Sequence, residues 1–390
     1  MEDLLETFGG HFMSEVPDPY PVYARLRREA PVKCLDLPMA PAYLVTRYDD
    51  VVTVLKDAAL FSSQANAKGI GLVMGKTILE MDGKEHTRHR NLISMAFVPK
   101  ALKGELPDTI ASIADDMIDR FARDGRADLV TQFTRTFPLR VIAHIIGVPI
   151  EDYETFKRWS LDLIGFADDP PKGFEAAEKL VDYLRPIVAA RRSEPHGDLL
   201  STLVHAAVDG QRLDDDEIYA FLKLLLPAGS DTTYRLIGNA LYAVLTHTEQ
   251  FEEVRVDRTK IAALIEETLR WESPVQYASR ETTAAVMLGG VELPAGTQLL
   301  TALGSANRDE RHFADPDRFD IHRRIDEHMA FGFGRHFCLG SHLARLEATT
   351  ALNALFDRLP NLRLERTQPC GVVGLAFRSP NRLPVQFDAR

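Results

Sequence analysis

One stretch limits the fold of this chain more than any other: an unbroken helical pattern from residue 214 to about 247. At 1.5 Å per residue it would span about 50 Å, the diameter of a mid-sized protein, so it is expected to cross the interior. Asp214, Asp215, Asp216 and Glu217 suit its N-terminus, where acidic side chains meet the positive end of the helix dipole. Its middle, Leu224-Leu225-Leu226-Pro227-Ala228-Gly229-Ser230-Asp231-Thr232-Thr233, is irregular. The proline removes a ladder hydrogen bond, the glycine weakens the next turn, and the hydroxyls compete for freed carbonyls, which predicts a bend. Such a bend is either tolerated by packing or is an opening beside a ligand, with Asp231 buried close to it.

Shorter helical patterns fall at 20–30, 49–56, 101–122, 133–146, 153–163, 175–192 and 341–355, and strand-like runs at 32–35, 42–46, 297–303, 372–377 and 384–387. Residues 64–76 read as a glycine-containing loop. No internal repeat or low-complexity linker interrupts the chain. The expectation is a mainly α protein with small β-sheets (α+β) in a single domain, 1–390. It would have a β-rich N-terminal part to about residue 62, a helical core over about 84–358 and a C-terminal β segment over about 361–390.

A chain of 390 residues, 45% of them hydrophobic, can build a core large enough to hide a big cofactor. Lys and Arg total 46 against 57 Asp and Glu, and the resulting charge of -11 argues against a general nucleic-acid binder, which needs a basic excess. The first ten residues carry Glu2, Asp3 and Glu6 and no apolar run of signal-peptide or membrane-span length, so a soluble cytoplasmic protein is expected. The three cysteines, Cys34, Cys338 and Cys370, lie far apart and form no C-x-x-C pair, which excludes a zinc ribbon and fits a reducing compartment.

Cys338 stands apart from the other two. It lies in Phe331-Gly332-Phe333-Gly334-Arg335-His336-Phe337-Cys338-Leu339-Gly340, just before a helical run. The glycines permit backbone shapes closed to other residues and let a flat ligand approach the chain. A cysteine before a helix N-terminus is expected to have its thiolate stabilised, and a thiolate in a rigid aromatic loop is a good axial metal ligand. Cys34 and Cys370 read as ordinary core cysteines.

Phe331-x-x-Gly334-x-His336-x-Cys338-x-Gly340 resembles the haem-binding loop of the cytochrome P450 superfamily. Three further segments match in order. Ala228-Gly229-Ser230-Asp231-Thr232-Thr233 is similar to the oxygen-activating helix motif of that family, and Glu267-Thr268-Leu269-Arg270 to its E-x-x-R. Residues 306–319 resemble the meander of its bacterial soluble members, and Glu85-His86-Thr87-Arg88-His89-Arg90 extends the match toward the N-terminus. Pro227, directly before the helix motif, departs from the ordinary helix former the family would carry there.

The resemblance implies the fold of that family, a helix-rich prism with a long central helix over the haem, and monooxygenation as the reaction. Cys338 would be the proximal ligand of haem b. His86, Arg90, Arg280 and His336 would bind the propionates, and Phe331, Gly332, Gly340 and Ala228 would border the ring. Asp231 and Thr232 would deliver protons for dioxygen reduction. Glu267, Arg270 and Arg318 would form a buried structural network behind the cysteine loop. Loop 64–76 would cap a substrate pocket with Ile70, Leu72, Val73 and Ile78. Leu161, Phe166, Leu224, Val275 and Leu375 would complete an apolar lining, with Tyr277 as a polar handle, for a hydrophobic small molecule. Electrons from NAD(P)H would arrive through a ferredoxin and its reductase, since one fold already accounts for the chain. Arg88, Arg323, Arg324, Arg335 and Arg345 are either solvated surface or a docking face for that acidic donor.

Two other readings are weaker. Gly75-Lys76-Thr77 ends like a phosphate-binding loop, but Ile70 stands where its first glycine belongs. His86 and His89 share a helix face with no second ligand cluster, which argues against a metal site.

Overall fold

Burial decides where the elements run in the computed structural model, which describes residues 15–37, 40–149, 153–208, 210–325 and 327–389. The chain begins with α1 (Tyr20–Glu29), β1 (Val32–Leu35), β2 (Ala42–Val45), α2 (Tyr48–Lys56), β3 (Phe61–Ser62), α3 (Gly71–Met74), α4 (Gly83–Ser94), α5 (Leu106–Ile118) and β4 (Arg126–Asp128). The helical middle comprises α6 (Phe137–Ile146), α7 (Tyr153–Ile164), α8 (Pro170–Ser193), α9 (Leu199–His205), a small hairpin of β5 (Ala207–Val208) and β6 (Gln211–Arg212), α10 (Asp215–Thr246), α11 (Thr248–Val256) and α12 (Ile261–Trp271). Then come β7 (Tyr277–Thr282), β8 (Val286–Leu288), β9 (Val291–Leu293), β10 (Gln298–Ala302), α13 (Leu303–Ala306), α14 (Ser341–Arg358), β11 (Arg363–Leu364), β12 (Val372–Val373), β13 (Ser379–Pro380) and β14 (Pro384–Gln386).

The sheets tie distant parts of the chain together. The largest has the order β1-β2-β10-β7-β3, with β2 and β10 parallel and the other pairs antiparallel. The N-terminal strands therefore share a sheet with residues 277–302; α1 precedes β1 and α2 lies between β2 and β3 in sequence, so the described residues of that part of the chain mix helix and strand. A second sheet, β11-β14-β4, joins the C-terminus to a strand between helices.

Helix α10 matches its expectation closely. Asp214 caps it, accepting from the Glu217 N–H at 2.8 Å, while the Glu217 side chain accepts from the Asp214 N–H at 3.0 Å. The helix runs through Pro227 without a break. Gly229 answers a packing need: a Cβ there would lie 2.7 Å from Ile142 Cγ1, so the glycine lets α6 approach the central helix. Residues 64–76 differ from the loop expected of them, forming a short 3-10 helix over Ser63–Lys68 and then α3.

Most of the apolar core surrounds α10, with smaller clusters beneath the five-stranded sheet and around α1. A buried polar knot anchors α1: Tyr20 and Arg378 both donate to Glu272, at 2.5 and 2.6 Å, and the Arg308 guanidinium stacks 3.5 Å above the Tyr20 ring. Among the described residues no helix is long and apolar enough to cross a membrane.

Candidate active site

The cysteine loop is fixed mainly by its backbone. Cys338 N–H donates to Phe331 C=O at 2.8 Å, Gly332 N–H to Met329 C=O at 2.8 Å, and Phe337 N–H to Gly334 C=O at 3.1 Å. Gly332 and Gly334 both take φ near +70°, the left-handed region that favours glycine. At Gly334 a second constraint applies, because a Cβ would sit 2.7 Å from the Leu55 carbonyl at the end of α2. Behind the loop, Arg345 lies 4.5 Å over the Phe331 ring and bonds Glu266, which also meets His328 at 3.1 Å.

The Cys338 side chain is both accessible and desolvated, the combination expected of a group on an internal surface. Burial raises its thiol pKa, against the Gly340 N–H and the charges of Arg90 and Arg345. The Gly340 N–H at the start of α14 thus favours the thiolate in the expected direction, but burial outweighs it, and a bound cation would shift the balance toward the thiolate.

Four basic side chains converge beside the cysteine. His86 and Arg90 come from α4, Arg280 from β7 and His336 from the loop. The two imidazoles lie 4.1 Å apart, and Arg90 donates to Phe337 C=O at 2.6 Å. His336 also meets Ser63 Oγ at 2.9 Å. Burial lowers the basicity of all four, and at the two imidazoles the neighbouring cations lower it further. Burial, then Arg280, His86 and Arg90, bring His336 down to about 3; burial brings Arg280 down to about 10, with Asp82 opposing. His86 Nε2 is buried without a hydrogen-bond partner. A dianion would restore these groups toward their ordinary values, so the donor set fits the two carboxylates of a haem whose iron takes the cysteine sulfur.

On the central helix, Ala228 is exposed and Gly229 and Thr232 half-exposed between buried neighbours, so this turn borders an internal surface. Asp231 is buried, with both carboxylate oxygens bonded to Arg235 one turn further on, at 2.9 and 3.2 Å. Thr232 donates to Ala228 C=O at 2.9 Å.

The family model for cytochrome P450 matches residues 151–370, more than half of the chain. The chain is similar, at 38% identity over 99% of its length and 97% of the relative's, to a vitamin D(3) 25-hydroxylase of Pseudonocardia autotrophica. Among solved structures it resembles cytochrome P450 CYP109Q5 from Chondromyces apiculatus (TM-score 0.87, 37% identity, 96% of each chain). It also resembles CYP109E1 from Bacillus megaterium in complex with testosterone (TM-score 0.85, 34% identity, 95% of this chain and 99% of that one). The chain belongs to the cytochrome P450 family. It is thus a haem-iron monooxygenase that uses dioxygen and electrons from a redox partner on small organic molecules.

The buried network of this P450 differs from the expected set in one member. Arg270 donates to Glu267 through two 2.7 Å bonds, and both side chains are fully buried. The third side chain is Arg323, 3.3 Å from Glu267 and 11% exposed. Arg318 is 63% exposed, pairs with Asp315 and Asp320, and gives the network only its carbonyl, which accepts from Arg270 and Arg323. Arg323 accordingly leaves the set of surface arginines, and Arg345 is held by Glu266. Arg324 and Arg335 remain exposed.

The expected pocket residues divide. Val73, Phe166 and Leu224 are buried in the main core, with Ile70 packed against it, while Leu72 and Leu161 are exposed. Val275 is half-buried and bridges to Phe377. Leu375 and Tyr277 instead pack around α1, and Tyr277 Oη is hydrogen-bonded to Tyr23 Oη, so Tyr277 is not a free polar handle. Sequence reasoning missed Arg235, whose only signal was its place four residues after Asp231, and the commitment of Lys76 to Glu85 at 2.5 Å.

Proposed function

We propose that this P450 binds haem b through Cys338 and hydroxylates or epoxidises a hydrophobic small organic molecule. The convergence of His86, Arg90, Arg280 and His336 beside Cys338 carries the reading, since two guanidiniums and two imidazoles whose basicity burial has lowered make a donor set that an anionic group would satisfy. These four would hold the propionates, and Phe331, Gly332, Gly340 and Ala228 would border the ring. When bound, the haem supplies dioxygen activation, the chemistry that no side chain offers. The chain's own part is to place, shield and protonate. Asp231 and Thr232 would pass protons from water toward the reacting oxygen. Glu267, Arg270 and Arg323 would keep the loop in register. Ile70, Leu72, Val73, Leu161, Phe166, Leu224 and Val275 would offer the substrate apolar surface.

The relatives named above support a steroid-sized substrate as the first to test. NAD(P)H-derived electrons would come through a ferredoxin and its reductase docking near the exposed Arg88, Arg324 and Arg335, in the cytoplasm. The shared sheets support reading the chain as one domain. The reduced protein should give the strongly red-shifted carbon monoxide Soret band of thiolate ligation, lost in Cys338→Ser. Steroids should shift the resting spectrum to high spin, and turnover under ¹⁸O₂ should place one labelled oxygen in the product. A carbon monoxide band typical of histidine ligation would overturn the site assignment; unlabelled product would overturn the reaction.

A further inference from the structure

The proposed relay acid is not free to move. Arg235 Nε and Nη2 each donate to one oxygen of Asp231, and the pair is shielded, with side chains 9% and 3% exposed. An i, i+4 ion pair usually decorates a helix surface; this one lies inside, where desolvation takes back much of its attraction, so stability alone explains it poorly. The rest of Arg235 is equally committed. Nη1 donates to Ser379 Oγ on β13 at 3.3 Å, and the guanidinium lies 4.9 Å from the Tyr234 ring and 5.4 Å from the Phe377 ring. Phe377 in turn bridges to Val275, a proposed pocket residue. One guanidinium thus joins the acid to the C-terminal β12–β13 hairpin, and the hairpin to the pocket wall.

We propose that Arg235 is a positioning residue for proton delivery: it fixes the Asp231 carboxylate and couples its position to the Phe377–Ser379 segment. The inference rests on Asp231 being the relay acid. To carry a proton, Asp231 must take it from water onto one oxygen and release it from there, which regenerates the carboxylate. Each oxygen keeps a second lone pair, so Asp231 can take up the proton while Arg235 holds it; protonation weakens the Arg235 bond to the oxygen that takes it, and the other bond keeps the group from swinging away. A substrate that presses on Val275 and Phe377 would shift the guanidinium through its ring contact and loosen that weaker bond. Proton delivery would then be faster with substrate in place.

The test uses the haem-loaded full chain and compares Asp231→Asn, Arg235→Gln, Arg235→Lys and Ser379→Ala. Asp231→Asn should slow turnover by about 10²-fold, as loss of a general acid does, and change the solvent deuterium isotope effect. Arg235→Gln should lower product formed per reductant consumed several-fold and change the same isotope effect, while substrate affinity stays within about two-fold. Arg235→Lys should recover part of the coupling, and Ser379→Ala should show a smaller loss. Independently of turnover, the carboxylate infrared band that disappears in Asp231→Asn should shift in Arg235→Gln. An unchanged isotope effect and band in Arg235→Gln, with Asp231→Asn affected, would overturn the role of Arg235 and leave the relay standing. An unaffected Asp231→Asn would overturn both. Should Arg235→Gln fail to bind haem, Arg235→Lys and Ser379→Ala decide the matter by the same isotope effect and band.

Discussion

The two faces of the site are built in different ways. On the cysteine side, position is set by backbone: three loop hydrogen bonds, two left-handed glycines, and Arg270 reaching past Glu267 to the carbonyls of Asn307, Pro316 and Arg318. On the side of the central helix, position is set by side chains: Asp231 on Arg235, Arg235 on Ser379, and the hydroxyls of Ser230 and Thr232 on carbonyls four residues back. A backbone pinned at its own N–H and C=O groups has few alternative states, whereas side chains paired with one another can exchange partners. A metal ligand needs the first kind of support, and a group that must take up and release protons needs the second.

Predictions that would break this contrast start with the ligand. Cys338→Ser should abolish thiolate-type carbon monoxide binding and monooxygenation while leaving the secondary structure intact by circular dichroism. Retained activity would show that the loop does not hold the reactive iron. Next comes the network behind it. Arg270→Met leaves the fully buried Glu267 with only Arg323 and the Asp320 N–H and should cost about 3 kcal/mol in denaturant unfolding. Arg323→Met should cost less, and Arg318→Ala should stay within about 0.5 kcal/mol, because Arg318 contributes a carbonyl and an exposed side chain. A large effect at Arg318 would restore the assignment expected from sequence.

The glycines sharpen the comparison at smaller scale. Gly334→Ala forces a Cβ against the Leu55 carbonyl at positive φ, and neither backbone can retreat; about 1–3 kcal/mol should be lost, with haem incorporation reduced. Gly229→Ala meets only the Ile142 side chain, so a similar loss by overpacking should be partly rescued by Ile142→Ala. Rescue at 229 and none at 334 with Leu55→Ala is the expected pattern; rescue at both would remove the distinction between the two faces.

The same distinction decides what could be read from the sequence. The cysteine loop was legible because its geometry is local: glycines, aromatic residues and the ligand lie within ten positions. Helix α10 was legible from its acidic cap and apolar length. What stayed hidden depends on contacts between distant residues. The parallel pairing of 43–45 with 299–301 leaves no periodic trace. Arg318 and Arg323 are both arginines in an irregular stretch, and only the fold of 306–323 turns one outward and the other onto Glu267. Tyr277 looked like a polar group in an apolar wall because Tyr23, its partner, lies 254 residues away. Pro227 suggested a bend, and the helix continues through it as one element from 215 to 246.

The smallest expected effect concerns pH and tests whether side chains behind the loop add to what its backbone already holds. Burial disfavours ionisation of Glu266, but hydrogen bonds from Arg345 and His328 outweigh it and hold the carboxyl at about 2, below its ordinary 4.5. A depressed carboxyl stabilises the fold above its unfolded pKa, and that contribution fades as pH falls from about 4.5 toward 2. Glu266 is one-third exposed, so solvent screening reduces the contribution to about 1 kcal/mol. Glu266→Gln should therefore lower stability at neutral pH by about that amount and flatten the loss between pH 4.5 and 2, relative to wild type. Arg345→Met should do the same and, by freeing the Phe331 ring face, also broaden the spectrum of the bound haem. An acid profile identical to wild type in both variants would mean that the backbone of the loop carries its position unaided.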